Sequence, residues 1–116
     1  MSMITKERVV PNGVVLDITG DLTYANREQF KTSVEKIRQQ GYRNLILNMA
    51  DVRFVDSSGL GLLALVSQNF KLSQGHVSML KPQSYVREIM ILANIQKLIP
   101  VYDNEQEAVT RFQQAA

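Results

Sequence analysis

The chain has 116 residues, with 13 Lys+Arg against 11 Asp+Glu and a formal net charge of +2, so it is no polyelectrolyte and its length predicts one compact domain, residues 1–116. A hydrophobic fraction of 45% beside 21% charged residues excludes a disordered or fibrous chain. With no cysteine, one histidine (His76) and no tryptophan, a disulfide framework, a thiolate metal site, a cysteine nucleophile and a histidine metal cluster are excluded as well.

The longest apolar run, Leu60 to Val66 interrupted by Gly61, falls far short of the ~20 residues of a membrane span. The first residues, Met1 to Arg8, lack the apolar stretch and small-residue cleavage site of a signal peptide, so the expected location is the cytoplasm, with no membrane association. The pI near 9.0 does not mark a nucleic-acid binder, because bases and acids alternate, as in Lys31, Glu35, Lys36 and Arg38.

Two apolar runs, Arg8 to Pro11 and Val14 to Ile18, flank Asn12-Gly13, a dipeptide suited to the positive φ values of a type I′ turn, so an N-terminal β-hairpin is predicted with Pro11 at a strand end. Phe30, Val34 and Ile37 recur at helical spacing and Gly41 supplies a stop. Leu45 to Met49 reads as a short buried strand, and Val52 to Val55 carries the chain to a polar turn. A helix buried in its N-terminal half follows from Leu60, with Gly75 as its terminator, and His76 to Leu80 is an interior strand. Pro82 suits the first turn of a helix whose Val86, Ile89, Met90 and Ala93 form one stripe, with Asn94 as a left-handed terminator. Leu98 to Tyr102 reads as an edge strand because of Pro100, and Asn104 with Glu107 resembles a capping box for a last helix bearing Ala108, Val109 and Phe112. The order β-β-α-β-α-β-α-β-α predicts an α/β fold, a mixed and mostly parallel sheet covered by helices. No repeat, linker or low-complexity segment interrupts it.

Asp56-Ser57-Ser58-Gly59 places an acid and two hydroxyls at a helix start. Capping explains part of this, since Asp and Ser oxygens accept the unpaired N–H groups of a first turn. One cap needs one acceptor, however, and Gly59 and Gly61 would strip side-chain bulk and open the backbone to a partner surface or a phosphate. Ser57 is expected just before the helix and Ser58 inside its first turn. A phosphoserine there would meet the positive end of the helix dipole while Asp56 repelled it, a balance suited to a switch.

Enzymatic readings fare worse. Gly59-Leu60-Gly61-Leu62-Leu63-Ala64 satisfies G-x-G-x-x-A, but no acid lies near Met79 to Lys81, where the ribose of a dinucleotide would need one. A nucleophile elbow and a Gly-Lys-Ser/Thr phosphate loop are both missing, and Asp17, Asp21, Asp51 and Asp56 are not grouped by spacing into a magnesium site. The chain is expected to be no enzyme and to need no cofactor.

At Asp56-Ser57-Ser58-Gly59-Leu60-Gly61-Leu62-Leu63 the sequence resembles the STAS family, in particular the free-standing bacterial anti-sigma factor antagonists of the SpoIIAA and RsbV type. The likeness runs nearly end to end, through Leu16 to Leu22, Asn44 to Asn48, Asp51 to Asp56 and Val101 to Ala108. It implies the STAS fold and a partner-switching module phosphorylated on the serine directly after the aspartate, here Ser57. The implied partners are an anti-sigma factor that is itself a serine kinase of the histidine-kinase-like ATPase fold, bound by the unphosphorylated form, and a metal-dependent serine phosphatase that resets the cycle. The implied partner surface comprises Asp56, Ser57, Ser58, Gly59, Leu60 and Gly61 with Asp21, Leu22, Thr23 and Tyr24, because loops following neighbouring strands converge at one end of a sheet. Thr23 stands where the family commonly carries an acid. The alternative implied role is a STAS regulator or scaffold in biofilm, secretion or stress signalling that releases no sigma factor.

Overall fold

The computed structural model describes residues 3–115, with side chains described as far as Arg111. Five strands form one sheet in the order β1-β2-β3-β4-β5: β1 (Ile4–Val10), β2 (Gly13–Leu22), β3 (Asn44–Val55), β4 (His76–Leu80) and β5 (Val101–Tyr102). β1 pairs antiparallel with β2, and every later pairing is parallel. The crossover helices are α1 (Arg27–Gln39), α2 (Ser57–Leu72) and α3 (Ser84–Leu92), and α4 (Glu105–Ala115) closes the chain.

The topology decides which face each helix covers. Each parallel strand is laid beside its predecessor in the same direction, and right-handed crossovers then put all three connecting helices on one side. Phe30, Val34 and Ile37 of α1, Leu63, Val66 and Phe70 of α2, and Val86 and Met90 of α3 accordingly share a core with Leu16, Leu45, Leu47, Met49 and Met79 from the sheet. Among the described residues only α4 reaches the opposite face, where Ala108 and Val109 cover Val15, Ile46 and Leu80. Strands buried on both faces explain the continuous apolar runs of β2, β3 and β4. Arg8 of β1 fastens α4 to this arrangement, donating from Nη2 to Asp17 Oδ1 at 3.0 Å and to Glu105 Oε1 at 2.8 Å. That guanidinium holds the Asp17 carboxyl below the usual carboxylate range.

Several local expectations are corrected. Val10 pairs with Gly13, so the hairpin turn is Pro11-Asn12, and only Asn12 takes a positive φ, 66°. A type I′ turn needs positive φ at both central residues, which the proline ring forbids. The two apolar runs from Leu45 onward are a single 12-residue strand, kept in register with β2 by shifts at Asp17/Thr19 and Gly20/Asp21. α2 ends in a Schellman arrangement in which Gln74 (φ 60°), not Gly75, is the left-handed residue; Gly75 N donates to Phe70 O at 2.6 Å. Pro82 precedes α3 by two residues, outside its first turn, and Ala93 is exposed at the helix end, while Asn94 is left-handed as expected. Of Leu98 to Tyr102 only Val101–Tyr102 pairs as a strand. The capping box is present, with Glu107 N donating to Asn104 Oδ1 at 2.8 Å, whereas the Phe112 side chain lies outside the described residues. Among the described residues, no helix is long and apolar enough to cross a membrane.

Candidate functional site

Parallel strands β2 and β3 end side by side, Leu22 opposite Val55, so the segments that follow them meet. The first leads through a 3₁₀ turn, Tyr24–Asn26, into α1, and the second leads directly into α2.

Asp56 joins the two segments. Its extended backbone (φ −95°, ψ −176°) places it as the N-cap of α2, where Oδ1 accepts from Gly59 N at 2.9 Å. Its Oδ2 accepts from Tyr24 N at 3.1 Å, and its own N–H donates to Leu22 O at 3.2 Å. Backbone donors from Gly59 first, then Tyr24 and Ser58, hold the carboxyl below its ordinary range, so it is an anion at neutral pH. The Gly59 amide at the helix start is therefore already taken by Asp56.

Both serines belong to the first turn of α2, correcting the expectation that Ser57 stands before it. Ser57 is the first helical residue and exposed; Ser58, the second, is half-buried. The two glycines separate. Gly59 is buried, and a Cβ there would lie 2.3 Å from Leu22 O and 3.0 Å from side-chain carbons of Leu22 and Val55. Its bareness lets α2 start against the end of β2 within this chain, and it opens nothing to a partner. Gly61 is exposed with nothing within 4 Å of such a Cβ, which leaves open space above the first turn.

On the neighbouring segment, Gly20 takes φ 115° where the strand register shifts, and β2 stays paired with β3 for two more residues. Asp21 is half-buried, its Oδ1 3.9 Å from Arg53 Nε and its carbonyl accepting from Asn26 Nδ2 at 2.8 Å. Thr23 is extended and half-buried. Leu22 is fully buried in the main core, so its side chain supports the site from below and does not belong to the exposed surface. Tyr24 is 61% exposed, with the Arg27 guanidinium 3.5 Å from its ring centroid. Leu60 is half-buried and packs on the core with one side. The sequence reading missed Arg27 and also the exposed Phe54 and Tyr85, whose rings stack at 6.3 Å just before the cap of α2. Aromatic identity was the only signal for these two, since their contact joins different elements.

Within the described residues no group of three or more His, Cys, Asp or Glu could hold a metal ion. Gly59 and Gly61 lie inside a helix, where they form no glycine loop for a dinucleotide.

Fold and site together define a small α/β domain that carries an exposed serine beside a capping aspartate at the C-terminal ends of parallel strands. The chain matches the STAS domain model over residues 3–108 and belongs to the STAS family. It is 26% identical over 103 residues to a protein of Thermotoga maritima described as a candidate anti-sigma factor antagonist, covering 88% of this chain and 91% of that one. A crystal structure under that description from the same organism superposes with a TM-score of 0.87 at 24% identity, covering 94% of each chain. The anti-sigma factor antagonist SpoIIAA in its unphosphorylated form gives a TM-score of 0.80 at 24% identity over 96% of this chain and 97% of that one; the Bacillus SpoIIAA structure in the phosphorylated form gives 0.70 at 23% identity over 95% and 98%. The fold also recurs in the murine anion transporter Slc26a9, with a TM-score of 0.76 at 21% identity over 94% of this chain and 19% of the transporter.

Proposed function

We propose that this chain is an anti-sigma factor antagonist, a single cytoplasmic STAS domain without catalytic turnover that works by partner switching. Unphosphorylated, it binds an anti-sigma serine kinase of the histidine-kinase-like ATPase fold; phosphorylated on Ser57, it lets go, and a metal-dependent serine phosphatase restores it. The observation that carries this reading is the exposed Ser57 next to an Asp56 whose two oxygens are already engaged. A phosphate there adds about −1.5 to −2 charges beside a fixed anion. Asp56 already holds the Gly59 amide, so that donor is not free to offset the repulsion between the dianion and the carboxylate. The chain's formal charge falls from +2 to about 0, too small a global change to act through a screening length of roughly 8 Å, so the effect is local. The names of the relatives, and the existence of both forms of SpoIIAA, support the reading.

Incubation with ATP, magnesium and the cognate kinase should add one phosphate, and peptide mass spectrometry should place it on Ser57. Modification of Ser58 instead refutes the assignment. A second reading, a STAS regulator or scaffold outside sigma control, draws on the same fold in a transporter. Affinity capture from native cytoplasm with wild type and Ser57→Asp separates the two: a kinase-fold ATPase captured by the first and lost with the second supports partner switching.

A further inference from the structure

We propose that Arg27 is a positioning residue of this site: stacked on Tyr24, it holds the segment between β2 and α1 against the Asp56 carboxylate and so fixes the surface that the kinase meets. This rests on the functional reading above and assigns it a component that the sequence did not indicate.

Two hydrogen bonds cross from this segment to the start of α2: Asp56 N to Leu22 O, and Tyr24 N to Asp56 Oδ2. The first is secured independently, because Leu22 is fully buried. The second is not, since Tyr24 is 61% exposed and no core packing fixes its position. Asn26 shapes the turn internally, through Nδ2 to Asp21 O and N to Thr23 O. Arg27 acts on Tyr24 itself, with Cζ 3.5 Å from the ring centroid and Nη1 donating to Tyr24 O at 2.7 Å. Its other ionic neighbour, Glu28 at 4.0 Å, lies at the distance limit of an ion pair and on a largely exposed side chain, so it competes weakly.

A planar guanidinium can stack on a ring and donate in its own plane to the carbonyl of the same residue; an ammonium cannot do both. The arrangement thus selects arginine. With the guanidinium in place the Tyr24 N–H points at Asp56. Without it, an exposed residue is free to swing and must be ordered again when a partner binds.

The test uses the full chain. Arg27→Ala should speed hydrogen exchange of the Tyr24 amide and weaken binding of the unphosphorylated protein to the cognate kinase, each by about tenfold, while the amide resonances of β4 and the melting temperature stay close to wild type. Arg27→Lys should recover part of the loss. Tyr24 exchange and resonance position unchanged in Arg27→Ala overturn the proposal, as does a loss of the same size spread over β4. If the wild type binds no serine kinase, the functional reading fails, and the Tyr24 amide of the free chain still decides whether Arg27 holds the segment.

Discussion

Two glycines two residues apart offer a test in which the same substitution should have opposite effects. Alanine at Gly61 meets nothing within 4 Å and replaces a poor helix former in an exposed position of α2, so stability should rise by about 1 kcal/mol. Alanine at Gly59 gains the same propensity but sets its Cβ 2.3 Å from a backbone oxygen of Leu22, which cannot rotate away. Forcing a methyl into such a contact costs about 1–3 kcal/mol. The displaced carbonyl is also the acceptor for Asp56 N, and weakening that bond costs about 1 kcal/mol more. The net for Gly59→Ala is a loss of about 1–3 kcal/mol. At roughly 3–6 °C per kcal/mol for a chain of this size, thermal unfolding followed by circular dichroism should show Gly61→Ala a few degrees above wild type and Gly59→Ala about 3–18 °C below it. Kinase binding should fall in Gly61→Ala although the protein is more stable, because its methyl occupies the open surface above the first turn. Equal shifts of the same sign would refute the division into one glycine for packing and one for the surface.

Other perturbations follow from the same geometry. Leu22→Ala should lower stability by about 2–5 kcal/mol in denaturant unfolding, since the side chain is fully buried, whereas Tyr24→Ala should weaken kinase binding with little change in midpoint. The lowered pKa of Asp56 gives stability that is present above its unfolded value near ~4 and is lost as pH falls through the folded value, so Asp56→Asn should flatten the acid limb of a stability-pH profile. His76 is also held below its ordinary pKa, by burial and then by Lys71. Below about pH 6.5 the unfolded chain binds a proton that the folded one resists, so stability should fall as pH drops from ~7 toward 5, and His76→Gln should remove that slope.

How far the sequence discloses this molecule depends on the range of the forces involved. Periodicities that lie within one element placed β4 correctly and found the buried stripe of α1, because burial of one face is written locally in residues such as Phe30, Val34 and Ile37. The Asp56 cap is equally local, its partner Gly59 lying three residues on. Where two equivalent local solutions exist, residue type alone misleads: asparagine and glutamine take the left-handed positions at Asn12 and Gln74 beside glycines that looked better suited. The contacts that build the site span larger distances in the chain. Tyr24 N meets Asp56 across 32 positions, and the reason Gly59 must be glycine is the carbonyl of Leu22 on another strand. Leu22 itself looked like a surface residue at the end of a strand, and only the parallel pairing with Val55 puts it beneath α2.

The central claim is that one phosphate on Ser57 decides whether the partner binds. The most direct measurement is the affinity of the purified cognate kinase for this chain before and after stoichiometric phosphorylation, read by calorimetry at physiological ionic strength. The account predicts tight binding of the unphosphorylated protein and none detectable for the phosphorylated one, with amide shifts confined to the neighbourhood of Asp56 to Leu63 and the facing Tyr24 segment. Equal affinity of the two forms would contradict it.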